Sequence, residues 1–172
     1  MTKRQIVSED LLPPTGHFSH ATTTAAQGTI VFVSGMTARR PDGTVAGIGD
    51  ITEQTRQVCE NLRAAMTAAG GTLDDICRVD VYVRNMEHFP LIHEVRRQYF
   101  KPPLPASTMV EVTKMTSPDY LIEISAIAVV DNGRSPRELG LWLGAERSAQ
   151  EVGAGRRTQH HHRLGAGDIA RV

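Results

Sequence analysis

Apolar positions along the chain recur with two different periods, and the switches between them mark out the elements. Residues 29–35, TIVFVSG, form a β-branched and aromatic run that closes on a glycine, as a buried strand does. Pro41-Asp42-Gly43 then makes a turn. Asp50 stands three residues ahead of Glu53 in the manner of a helix cap, and Val58, Leu62, Ala65, Met66 and Ala69 follow at helical spacing until Gly70-Gly71 stops them. In residues 77–84 the period drops to two: Val79, Val81 and Val83 alternate with Arg78, Asp80, Tyr82 and Arg84, a strand with one covered face. Behind Pro90 the helical period returns through Phe89, Ile92, Arg96, Tyr99 and Phe100, and Lys101-Pro102-Pro103 ends it. Residues 107–113 and 121–130 read as two further strands. The stretches 5–7 and 18–24 read as a hairpin that joins the same sheet.

That order predicts an α+β domain over residues 1–130, a mixed β-sheet with two helices packed on one face. Two helices are too few to cover both faces, so the other is expected to be buried against further copies of the chain, in closed cyclic symmetry. After residue 130 the pattern collapses into a segment rich in glycine, arginine and alanine, and residues 131–172 are expected to form a disordered tail. Trp142 and its leucine neighbours are the apolar anchor there. Three adjacent histidines, His160, His161 and His162, cannot converge on one ion from an ordered element and read as part of a solvated tail.

Composition narrows the function classes. The 172 residues carry 19 lysines and arginines against 19 aspartates and glutamates, so no global field draws the chain onto nucleic acid or a membrane surface, and neither is expected as a partner. The opening MTKRQIVSEDLLPP lacks the apolar stretch of a signal peptide. No segment approaches the roughly 20 apolar residues that span a bilayer, and a cytoplasmic location is expected. Cys59 and Cys77 lack CxxC or metal-ligand spacing and read as reduced core residues. No metal site or cofactor is predicted.

Six blocks in order, GHFSHA (16–21), IVFVSGM (30–36), ITEQTRQVCENL (51–62), DVYVRNMEHF (80–89), PASTMVEV (105–112) and LIEISAIAV (121–129), resemble the Rid (YjgF/UK114-like) family. The resemblance implies a chorismate-mutase-like homotrimer with small-molecule sites at the subunit interfaces. It also implies hydrolysis of 2-imino or enamino acids to keto acids and ammonia. Residue by residue, it places the water-activating carboxylate at Glu123 and the cleft-lining strand end at Ser34 and Gly35. The arginine that grips the substrate carboxylate falls at Ser107, in a strand that also carries Met109 as a candidate contact. A tyrosine of many relatives is here Phe18, and an asparagine is His93.

A serine hydroxyl cannot replace a bidentate guanidinium, so substrate anchoring departs from the family pattern. Arg39 and Arg40, in a run RRPDG that also resembles 2-aminomuconate deaminases of the same family, are either a solvated turn or the substitute anion anchor. Lys114 and Arg96 are further candidates. His93 is either a surface helix residue beside Glu94 or a cleft-facing acid, base or anion ligand. Glu123 either closes a trimer contact or directs water. The function expected is a diverged deaminase of a small enamine, imine or amino-muconate-like compound. The alternatives are a trimer that binds a metabolite without turning it over and an interaction scaffold.

Overall fold

The computed structural model describes residues 3–25 and 27–133. The remainder of the expected tail, with Trp142 and the three histidines, lies outside the described residues. Along the chain run β1 (Arg4–Ile6), β2 (Ala21–Thr23), β3 (Thr29–Met36), α1 (Ile51–Ala68), β4 (Ile76–Val83), α2 (Phe89–Tyr99), β5 (Ala106–Glu111) and β6 (Ile122–Val130). β3 to β6 form one mixed sheet in the order β3-β6-β4-β5. β4 and β5 are parallel and joined by α2, while β6 runs antiparallel between β3 and β4. The α+β reading therefore holds, with small shifts at element ends; the strand expected over 107–113 is β5, ending at Glu111.

The N-terminal hairpin is a correction. β1 and β2 pair with each other in a separate two-stranded sheet. Side chains tie them to the main sheet instead: Thr22 Oγ1 donates to the Cys77 carbonyl at 2.8 Å and Lys3 Nζ to that of Ile76 at 2.7 Å. A single bridge, Ser19 to Ala106, touches the β5 edge. Three-residue strands carry too few ladder bonds to extend the sheet against such side-chain contacts.

The core lies between the sheet and the two helices. Val79, Val81 and Val83 of β4, Ile122 and Ile124 of β6, Val58, Leu62 and Met66 of α1, and Ile92 of α2 are fully buried together. Asp50 caps α1, its Oδ1 accepting from the backbone N–H of Thr52 and Glu53 at 2.9 and 3.1 Å. Gly70, at φ +77°, takes the left-handed step past the helix end that a side chain would oppose. Cys59 is buried in α1, where burial pushes its thiol up to about 12. Cys77 is only half-buried. The opposite sheet face has no cover among the described residues, and Ile30, Phe32, Tyr82, Val110 and Ile127 are exposed on it, Phe32 at 76%.

Candidate functional site

Glu123 stands on the uncovered face, since its strand neighbours Ile122 and Ile124 both point into the core. Its register partner on β4 is Tyr82, which lies on the same face. On the other side, the β3 ladder slips between Val33 and Met36, so Ser34 and Gly35 form an irregular stretch beside it. Such bulges re-aim backbone next to functional groups. Gly35 leaves the carboxylate the place it occupies: a Cβ at that position would displace Glu123 Oε1 and stand 2.7 Å from its carboxyl carbon. The half-buried carboxylate takes no hydrogen bond or ion pair among the described residues.

Around it opens a cavity of about 570 Å³, lined by Gly35, Tyr82, Lys114, Thr116, Glu123 and Ser125 together with Val112 and Met115. One wall is the connection between β5 and β6. Gln54, buried on α1, fixes that connection: its Nε2 donates to the Asp119 carbonyl at 2.6 Å and its Oε1 accepts from the Leu121 N–H at 2.8 Å. Lys114 therefore faces the same cavity as Glu123, on a segment held from below. A second hollow of about 340 Å³ shares Gly35 and is lined by Arg39, Arg40 and Asn61. Asn61 Nδ2 pins that turn by donating to the carbonyls of Thr37 and Arg39, both at 2.8 Å.

Ser107 is elsewhere. It pairs with Val79, a core position, and so lies with Met109 on the helix-covered face, opposite to Glu123. Its Oγ accepts from Arg96 Nη2 at 3.2 Å. Met109 is half-buried and packs on the core. His93 is 3% exposed, which excludes the surface alternative. Its Nδ1 accepts from the His17 N–H at 3.1 Å and its ring packs 4.1 Å from that of Phe89. Burial first, then Arg96, Arg97 and His17, hold its pKa down to about 4, so the ring is neutral near pH 7. His17 Nε2 in turn donates to the Phe100 carbonyl at 2.7 Å. Half-buried Phe18 belongs to the segment laid over this cluster.

Within one chain, then, the expected residues fall into two groups. Glu123, Ser34 and Gly35 stand at the β3 end on the open side, and Arg39 and Arg40 line the adjoining hollow that shares Gly35 and reaches Asn61 of α1. Ser107, Met109, His93 and Phe18 gather where α2 meets the β5 edge. Sequence reasoning missed Tyr82, Thr116 and Ser125 as cavity residues. The alternation of residues 77–84 put Tyr82 on the open face, but its pairing with Glu123 depends on a register that no local pattern carries.

The Endoribonuclease L-PSP family matches residues 9–130. A RutC family protein of Pyrococcus horikoshii is 39% identical over 126 residues, covering 73% of this chain and 97% of that protein. The 3-aminoacrylate deaminase RutC of Acinetobacter baylyi is 34% identical over 130 residues, 76% of this chain and all of that one. Among solved structures, a protein of unknown function of the conserved Rid family from Yersinia pestis superposes with a TM-score of 0.70 at 30% identity, over 76% of this chain and 100% of its own.

Proposed function

The chain belongs to the Rid (YjgF/UK114-like) family, and from that premise we propose that it is a hydrolytic deaminase of a small enamine or imine in which Glu123 directs water. The observation that carries this reading is the free carboxylate of Glu123 in a cavity of about 570 Å³, with space kept for it by Gly35. Imine hydrolysis asks little more. Glu123 accepts a proton from water as the oxygen adds to the imine carbon and passes it to the nitrogen; it then takes the new hydroxyl's proton and delivers that to the nitrogen as the carbon–nitrogen bond breaks, so that ammonia leaves and a carbonyl remains. An enamine enters the same sequence once its carbon is protonated. Deaminase names among the relatives support the same class.

The family description speaks of RNA cleavage. Favouring the small molecule here are a net charge of zero and one lysine at the cavity, where an RNA groove needs cations in series along a backbone. The homotrimer belongs to the same proposal. It covers the open apolar face, and it brings the Glu123 group of one subunit to the Ser107 group of the next, which a single sheet holds apart.

The test is ammonia and carbonyl release from imines generated in situ, against the uncatalysed rate. Glu123→Gln is expected to lose about 10²- to 10⁴-fold, since an amide cannot accept and return the proton. A variant as fast as the wild type would leave the cavity as a binding site only.

A further inference from the structure

Arg96 is the largest fully buried side chain among the described residues, at 0% exposure. A guanidinium in that position normally has a carboxylate beside it, because a buried cation without one keeps its full desolvation cost. Among the described residues none pairs with it. Its Nε and Nη1 have no hydrogen-bond partner. The guanidinium carbon lies over the Phe100 ring, 5.7 Å from its centre, and the Cys59 thiol nearby is held neutral by its own burial. What remains is Nη2, and it donates to Ser107 Oγ.

That contact changes what Ser107 can do. A hydroxyl that accepts from a cation keeps its own proton to donate, and donates it more strongly. Ser107 is half-buried on β5, an edge strand of the main sheet, so this donor is within reach of a ligand while Arg96 stays behind it. Two further cations lie on the same side, since Arg97 and Lys101 act on His17 together with Arg96.

We propose that Arg96 and Ser107 together form an anion subsite for a small carboxylate, in which Arg96 supplies the charge and the Ser107 hydroxyl makes the contact. This rests on the deaminase reading only for the assignment of the anion to the substrate. The strand has a serine where the resemblance places an arginine, and the cation has come in from the helix beneath. Arg96 is thus a positioning residue. It follows that Ser107→Arg alone, which would set a second guanidinium against the first, should not improve binding, whereas moving the charge by Arg96→Met with Ser107→Arg should preserve it.

The probe is propanoate, with propanamide as its neutral counterpart, titrated into the full chain while the ring signals of His17 and His93 are followed by NMR. Saturable shifts are expected with propanoate and none with propanamide. Arg96→Met and Ser107→Ala should each weaken propanoate binding about ten- to a hundredfold. The Arg96→Met/Ser107→Arg pair should restore it. Melting of Arg96→Met should stay level or rise, because a methionine there removes an unpaired buried charge; a merely structural arginine would make it fall. Absence of saturable propanoate binding to the wild type, binding unchanged in Ser107→Ala, or tighter binding by Ser107→Arg alone overturns the proposal, and none of these needs Arg96→Met to fold. Turnover by Glu123→Gln decides the deaminase reading separately, so either can fail without the other.

Discussion

His93 couples folding to pH. In the unfolded chain an imidazole takes up a proton near pH 6.5, and in the folded one burial and the neighbouring cations hold that uptake down to about 4. Between those values the unfolded state binds more protons, so stability rises with pH there. The contribution is complete above about pH 6.5 and is lost as the pH falls toward 4; between pH 7 and 5 it amounts to about 2 kcal/mol. His17, depressed chiefly by burial, acts in the same direction. His93→Asn keeps an acceptor for the His17 N–H but does not titrate, so the slope of urea stability between pH 7 and 5 should flatten. An unchanged slope would place its origin in another group. At this scale the sequence was a poor guide: His93 and Arg96 sit at helical spacing like any amphipathic pair, and nothing in that spacing tells a solvated charge from a buried one.

Helix α1 shows how an element outside the Glu123 cavity shapes it. Gln54 reaches from its first turns to Asp119 and Leu121, the β6 end of the connection that carries Lys114, Met115 and Thr116. Gln54→Leu would leave the Asp119 carbonyl and the Leu121 N–H without that partner, at about 1–3 kcal/mol for each group that water does not reach. The urea midpoint should fall, and the Leu121 amide should exchange faster than in the wild type. A variant with the wild-type midpoint would mean that the connection is held by other contacts. The helix itself was legible, because cap, period and glycine stop agree. Its hold on the cavity was not, since a glutamine at a buried position reads locally as a polar interruption. The hairpin formed, but its attachment to the main sheet was misjudged for the opposite reason: residues 5–7 and 18–24 have strand composition, and composition does not choose a partner.

For the whole molecule the decisive property is the sheet with one face covered. Helix count alone foretold the open face, and the exposure of Ile30, Phe32 and Ile127 on it bears that out. The division of the site was not foretold, because family blocks align along the chain while faces alternate with every residue. Three rungs separate Val79, the partner of Ser107, from Tyr82, the partner of Glu123, and an odd step reverses the side. If the chain assembles as the proposed trimer, two defective genes repair each other. In mixed trimers of Glu123→Gln and Ser107→Ala chains, each boundary that joins an intact carboxylate to an intact hydroxyl is whole. Random assortment makes about a quarter of the boundaries so, and co-refolding equal amounts should recover about that share of wild-type activity. No recovery above the two separate variants would confine the chemistry to one chain.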